Sequence, residues 1–141
     1  MKVQLLVVGV VSKAVTDPVL VFYVVLGDAK CFRIPTIIES SSGALLAFAE
    51  DRTPGCKDSS DHKLVMRRSE DGGKTWGEVV TVNQPDSDPC DGCARAVANP
   101  NPVEVDGRIL LHFETKNNPN TTSLGLDVES WSLDDGRTWG P

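Results

Sequence analysis

Two arginines and an aspartate stand at short spacing around one predicted hairpin. Arg33 lies in the run Phe32-Arg33-Ile34-Pro35, and Arg52 ends the run Phe48-Ala49-Glu50-Asp51-Arg52. A guanidinium group is a planar fork of donors that binds a carboxylate through two bonds and stays charged at any relevant pH. The loop that follows carries Asp58 and Asp61, and a carboxyl group suits general acid and base catalysis if its pKa is raised towards the working pH. These residue types suit carboxylate recognition beside a proton-transfer group.

Short strands must position these residues, because helix-period patterns are almost missing from the chain. Apolar or alternating runs bounded by Gly, Pro, Asn, Asp and Ser recur, which is typical of an all-β protein. Turns are expected at 40–43 and 69–76, and a polar loop at 51–62. The strands are expected at 32–38, 44–50, 63–68 and 78–82. Together they predict one antiparallel four-stranded blade of a β-propeller.

The pattern restarts after a second loop at 83–99. Strands are expected at 102–105, 108–114 and 126–132, which gives three strands of another blade. The sequence SEDGGKTW at 69–76 returns as SLDDGRTW at 132–139, and repeats of this kind indicate propellers or solenoids. Because the strand pattern stops in mid-repeat, we expect the chain to be part of a longer propeller protein.

Both repeated turns fit the pattern SxDxGxTW, which resembles the Asp-box of sialidase-type propellers. Gly tolerates positive φ, Asp and Ser or Thr side chains bond nearby amides, and Trp supplies a buried face. A calcium loop is disfavoured because the distal Glu is missing. The motif therefore predicts fold rather than activity. Its residues are Ser69, Asp71, Gly73, Thr75 and Trp76 in the first turn, and Ser132, Asp134, Gly136, Thr138 and Trp139 in the second.

The runs that carry the two arginines resemble the FRIP motif of exo-α-sialidases and its partner FAExR. The resemblance covers roughly residues 30–140 and implies a sialidase-type β-propeller, of which the chain holds about two of six blades. It implies Arg33 as the first of three carboxylate-binding arginines, with Arg52 beside it and Glu50 as a supporting pocket residue. Taken singly, Arg33 fits an exposed strand arginine and Arg52 a solvated loop charge. Their joint placement around one hairpin favours the site.

The resemblance also implies a domain division. Residues 30–141 are expected to form a partial propeller, with one blade at 32–82 and an incomplete blade at 100–141. Residues 1–29 are expected to hold strands at 3–11 and 19–26, with a weak signal peptide as the less favoured alternative because no A-x-A-like cleavage site follows. The cellular compartment stays open.

Further site residues follow from the same resemblance. Sialidases carry an aspartate as general acid and base in the loop after FAExR, where the distance to the next strand favours Asp58 over Asp61. Asn99-Pro100-Asn101-Pro102-Val103 resembles the NPxPV segment that opens the second blade. Asn99 or Asn101 faces the pocket in one interpretation, and the segment is only a Pro-rich strand entry in the other.

The resemblance implies an activity, and also residues that are not in these 141 positions. Sialidases use a Tyr nucleophile, with an assisting Glu and two more arginines from later blades, whereas Tyr23 precedes the FRIP motif and does not match the nucleophile's place. The implied activity is release of terminal sialic acid from glycoproteins, gangliosides and oligosaccharides, with sialylated glycans as partners and no metal or organic cofactor. The rival is a non-catalytic Asp-box module that binds a glycan or a protein, which has no need of Arg33, Arg52 and Asp58 together.

Charge and cysteine usage exclude some other classes. The 20 acidic residues outnumber the 14 scattered basic residues, so a nucleic acid partner is not expected. No stretch of 18 apolar residues occurs, so no transmembrane helix is expected. Cys90 and Cys93 form one CxxC pair, which is weak for zinc or redox chemistry, and the state of all four cysteines, which include Cys31 and Cys56, stays open. His62 and His112 have no partner pattern and fit a loop and a strand residue.

Overall fold

The computed structural model describes residues 18–23, 30–52, 55–58, 61–84, 96–116 and 126–140. Every regular element in these ranges is a β-strand, which confirms the predicted all-β class. Within the same ranges, no helix is long and apolar enough to cross a bilayer. The strands are β1 (Phe32–Glu39), β2 (Leu45–Arg52), β3 (His62–Ser69), β4 (Val80–Asn83), β5 (Ala96–Val105), β6 (Arg108–Lys116) and β7 (Leu126–Ser132).

The strands form two antiparallel units, here called the first repeat (β1–β4) and the second repeat (β5–β7). Each strand pairs with the next one along the chain within its repeat. A single parallel pairing of His62 with Ala96 joins the repeats. Short hairpins account for this order, since Asp106 and Gly107 both have positive φ and fit a type I′ turn.

The first strand of each repeat contains the same irregularity. The register of β1 shifts between Arg33 and Thr36, and the register of β5 shifts between Ala98 and Asn101. Each bulge contains a non-glycine residue with positive φ directly before a proline: Ile34 has φ 51° and Asn99 has φ 56°. This conformation is strained for a β-branched residue such as Ile34. Such bulges commonly re-aim a side chain at a functional edge.

The hydrophobic core lies between the two repeats. Alternate residues of each strand point to the facing repeat, as the two-residue period of a strand requires. Trp139 packs edge-on against Phe48, with ring centroids 5.7 Å apart. Burial of these side chains is the main favourable term in joining the repeats. The cluster consists of Leu46, Phe48, Leu64 and Met66 from the first repeat and Val97, Ile109, Leu111 and Phe113 from the second.

The SxDxGxTW turns are built by side chains that bond the turn's own amides. In the first turn the amide of Gly73 donates to Ser69 Oγ at 2.9 Å, and the amide and hydroxyl of Thr75 donate to Asp71 at 2.9 and 2.6 Å. The second turn has the equivalent bonds of Gly136, Thr138 and Asp134 at 2.8, 2.8 and 2.6 Å. These bonds give both turns one geometry and a structural role.

The second turn also docks on the first repeat. Asp135 Oδ2 accepts a hydrogen bond from Arg68 Nη2 at 2.8 Å and one from Ser42 Oγ at 2.5 Å. A Cβ atom placed on Gly136 would lie 2.0 Å from Leu46 Cδ2, so only glycine fits there. The turn is therefore part of the contact between repeats as well as a hairpin.

Several predicted boundaries are wrong. The 51–62 loop is shorter, because β2 and β3 pair as far as Arg52 and His62, and both residues are buried in strands. The first strand of the second repeat begins at Ala96 rather than at Pro102, because the bulge at Asn99 admits the prolines. The fourth strand starts at Val80 rather than 78. Residues 18–23 are not in a strand, and the rest of the predicted strands at 3–11 and 19–26 lies outside the described residues.

Candidate active site

Four strand ends converge at one edge of the molecule. Arg33 at the start of β1 pairs with Glu50 near the end of β2, and Arg52 at the end of β2 pairs with His62 at the start of β3. The pairing of His62 with Ala96 adds β5 to this edge. The two predicted arginines therefore lie on the neighbouring strands β1 and β2, and β3 and β5 end at the same edge.

Glu50 and Arg52 form a buried ion pair. Arg52 Nε and Nη2 both contact Glu50 Oε2, at 2.7 and 2.6 Å, and the two residues are 4% and 0% exposed. The other oxygen, Glu50 Oε1, accepts the backbone N–H of Asn99 at 2.9 Å. Glu50 is therefore a supporting residue in a literal sense, because it holds an arginine of the first repeat and the bulge of the second.

Arg52 is further enclosed by the loop that follows it. Its backbone N–H donates to the carbonyl of Cys31 at 2.9 Å, and Nη1 donates to the carbonyl of Cys56 at 3.5 Å and to Asp58. Burial alone would lower the pKa of Arg52, but the bonds and charges of Glu50 and Asp58 outweigh it and raise that pKa. The solvated-charge interpretation of Arg52 is excluded.

A disulfide holds this loop in place. Cys31, directly before the FRIP run, is bonded to Cys56, with Cα atoms 5.4 Å apart. The sequence leaves the pairing open, although the position of one cysteine beside Arg33 and the other beside Asp58 was a usable signal. Cys90 and Cys93 lie outside the described residues. The disulfide therefore ties the segment that carries Asp58 to the strand that carries Arg33.

Asp58, the predicted general acid, has an exposed side chain in this arrangement. The hydrogen bond from Arg52 and then its charge, followed by the charges of Arg33 and His62, lower the pKa of Asp58. The carboxyl group is therefore ionised here, whereas donation to a leaving group needs a raised pKa. Asp61 is also exposed and directly precedes β3. Asp58 accepts a hydrogen bond from Arg52.

Arg33 directly precedes the positive-φ residue of the β1 bulge, and Asn99 is the positive-φ residue of the β5 bulge. The side chains of both residues are exposed at the edge, and Arg33 acts electrostatically on Asp58. The backbone of Asn99 is bonded to Glu50, while Asn101 is exposed further along β5. The structure thus brings together Arg33, Arg52, Glu50, Asp58 and Asn99, the five residues predicted from the motifs.

His62 is a member of this edge that sequence reasoning missed. It is 3% exposed, its Nε2 lies 3.2 Å from the carbonyl of Lys57, and its Nδ1 lies 3.9 Å from Glu50 Oε2. It shares a strand face with Leu64 and Met66, so the alternation of β3 could have indicated its burial. Tyr23, in contrast, is 59% exposed and lines a different groove with Arg67 and Glu78.

Comparisons with known proteins agree with this geometry. No protein-family model matches the chain. A sialidase of Paraclostridium sordellii is 32% identical over 124 residues, covering 79% of this chain and 29% of its own length. The chain is of the sialidase type. An exo-α-sialidase of Aspergillus fumigatus is 28% identical over 77% of the chain, and a sialidase of Micromonospora viridifaciens is 38% identical over 37% of it.

The fold of this sialidase-type chain is also found in a solved structure. The Hadza microbial sialidase Hz136 superposes with a TM-score of 0.68 at 24% identity, over 77% of this chain and 25% of that protein. The predicted sialidase-type fold is thereby confirmed. The chain spans about a third or less of the length of the curated relatives it matches. Activity, substrate and the roles of individual residues are therefore matters for proposal.

Proposed function

We propose that the chain contributes one side of an exo-α-sialidase active site, which releases terminal sialic acid from glycoproteins, gangliosides and oligosaccharides. The observation that carries this is the convergence of Arg33, Arg52 and Asp58 at one edge, where burial and the Cys31–Cys56 disulfide fix Arg52 and the loop. We further propose that residues 32–82 and 100–141 belong to two blades of a six-bladed ring, which supplies the remaining residues.

In the proposed mechanism the two arginines bind the sugar carboxylate. Arg33 is exposed and can offer a fork of two donors, while Arg52 turns Nη1 from Asp58 to the ligand. The pKa of Asp58 then rises, because its carboxyl group loses the contact with Arg52 and the bound sugar shields it from water. Asp58 then gives a proton to the glycosidic oxygen as the bond breaks, and later takes one from the attacking water.

The covalent step of the proposed reaction needs a nucleophile from another part of the ring. By the family mechanism this is a tyrosine, and two displacements at the same carbon give net retention of configuration. The exposed position of Tyr23 in a separate groove supports a different residue for this step.

A second candidate function is a glycan- or protein-binding module without hydrolysis. The ionised, exposed state of Asp58 favours it, because a binding site needs no proton donor. The binding module has no need of Arg33, Arg52 and Asp58 together, whereas hydrolysis uses all three, so turnover separates the two candidates.

Kinetics with a fluorogenic sialoside test the proposal, using this chain and a longer form with the remaining blades. Arg33→Ala should raise the Michaelis constant at least about tenfold, since a charged hydrogen-bonded contact is lost. Asp58→Asn should lower turnover about 100-fold or more, most for poor leaving groups. Arg108→Ala is the matched control, because Arg108 is an exposed arginine of the second repeat that stacks on Trp131.

Unchanged kinetics for both site variants would overturn the site assignment. Absence of hydrolysis in both wild-type forms, with sialic acid still bound, would favour the binding module instead. Activity of the 141-residue chain alone would mean that another nucleophile is used.

A further inference from the structure

His62 is a buried titratable side chain at this edge that the proposed mechanism does not use. If Nε2 carries the ring proton, it donates to the Lys57 carbonyl at 3.2 Å, and the buried Nδ1 has no hydrogen-bond partner in the part of the chain that the structure describes. An unpartnered buried polar atom destabilises the folded state, because it has lost its hydrogen bonds to water and gained none in return. Such an atom is usually explained by a function or by a second state in which it is bonded.

The group that Nδ1 faces is the carboxylate of Glu50. The separation from Nδ1 to Glu50 Oε2 is 3.9 Å, which is too long for a hydrogen bond but within the range of an ion pair. The same oxygen accepts both bonds from Arg52. A proton on Nδ1 would therefore add a third donor to Glu50 Oε2, in competition with Arg52.

Charged groups of both signs surround the ring. Glu50 and Arg52 face it from β2, Asp58 lies in the loop that Lys57 belongs to, and Arg33 extends from β1. The strand on the other side, β5, pairs with β3 through the apolar Ala96. When His62 is neutral, the carboxylates of Glu50 and Asp58 balance the charges of Arg33 and Arg52. A proton on His62 therefore gives this group of side chains a net positive charge.

We propose that His62 is a positioning residue of the site: neutral, it holds the loop through Lys57, and protonated, it bonds Glu50 and frees Arg52 to bind an anion. Histidine suits this because its charge changes near neutral pH. The proposal rests on the proposed function only for the identity of the anion, a sugar carboxylate. Affinity for that carboxylate should then rise on acidification by roughly fivefold, as for one added charge at the edge of a protein.

Two histidines in the chain make a direct test possible. We would label the imidazole nitrogens of the 141-residue chain and follow them by NMR from about pH 8 to about pH 5, the interval of histidine titration. His112, whose side chain is 41% exposed and lies 3.8 Å from Asp127, is the internal reference. Asp58 does not interfere, because its pKa is held below its ordinary 3.8.

The proposal predicts two spectroscopic results. Neutral His62 should be the Nε2–H tautomer, and the Arg52 Nε–H signal and the amides of 56–58 should shift with the same midpoint as His62. His62→Gln should abolish these shifts, since glutamine can still donate to Lys57 but gains no proton, and His112→Gln should leave them unchanged. If His62→Gln does not fold, the wild-type midpoints decide alone: a shared midpoint supports the proposal, and separate midpoints overturn it.

Adding N-acetylneuraminic acid separates this proposal from the proposed function. Affinity that is about fivefold higher at pH 5 than at pH 8 in the wild type, and flat in His62→Gln, supports both. Equal affinity at the two pH values would overturn the role of His62 and would still support the sugar site. A shared midpoint without any binding at either pH would support His62 and overturn the sialic acid site.

Discussion

The two repeats have one backbone design and two different edges. Both have a bulge before a proline in the first strand, the same strand register after it, and the same hydrogen-bonded turn. The residue before the positive-φ position is Arg33 in the first repeat and Ala98 in the second, and each pairs with a glutamate of the next strand. The backbone is therefore common to both repeats, whereas the arginine at this position is specific to the first.

The two glutamates that pair with Arg33 and Ala98 also differ in their burial. Glu50 is fully buried and bonds Arg52 and Asn99, whereas Glu114 is half-buried in the second repeat. The first repeat also has the disulfide beside its arginines. These contacts of the first repeat lie where the anion would bind, as a preorganised site requires.

The largest expected effect is at the buried ion pair. Glu50→Ala should lower the free energy of unfolding by about 3–5 kcal/mol, because Arg52 would keep its charge in a buried place without its main partner. Glu114→Ala, the matched change in the second repeat, should cost about 1 kcal/mol. Urea unfolding of the chain measures both, and equal losses would contradict the difference between the two edges.

A smaller difference in stability is expected when the glycines of the two turns are replaced. Gly136→Ala should cost about 3 kcal/mol, because the new Cβ meets Leu46 at 2.0 Å and φ is 82°. Gly73→Ala should cost about 1–2 kcal/mol, since φ is 86° but the nearest atom is 3.4 Å away. The same unfolding assay compares them. A larger loss at Gly73 would mean that the second turn does not pack on the first repeat as described.

The smallest expected effect is a loss of stability at acid pH, which should be equal for the turn aspartates of the two repeats. The threonine side-chain bond, followed in each turn by other local bonds, lowers the pKa of Asp71 and of Asp134 from 3.8 to about 2. A folded pKa below the unfolded one means that the stabilisation is present above about pH 3.8 and is lost as the pH falls towards 2. Asp71→Asn and Asp134→Asn should each flatten the fall of the urea midpoint in that interval, by similar amounts. A variant whose midpoint falls parallel to the wild type would refute the assigned cause.

The sequence predicts the common backbone better than the specific edge. Alternation and the repeated SxDxGxTW pattern indicate the strands and turns, because both depend on residues close together in the chain. The start of β5 at Ala96 is not predictable in this way, because Pro100 and Pro102 disfavour a strand and a bulge overrides them.

The same limit applies to the site. Motifs predict Arg33, Arg52 and Asp58, whereas the position of His62 beside Glu50 depends on the pairing of β2 with β3. The low pKa of Asp58 likewise follows from a contact with Arg52 that forms only in the fold. Residues that act through tertiary contacts carry no local signal of their role.

The most direct test of the central claim is to map sialic acid binding on the labelled chain by NMR. The account predicts that N-acetylneuraminic acid shifts the signals of Arg33, Arg52, Asp58 and Asn99, leaves the 132–139 turn unchanged, and binds at least about tenfold more weakly to Arg33→Ala. Shifts centred on the second repeat, or binding that Arg33→Ala does not weaken, would show that the first repeat's edge is not the site.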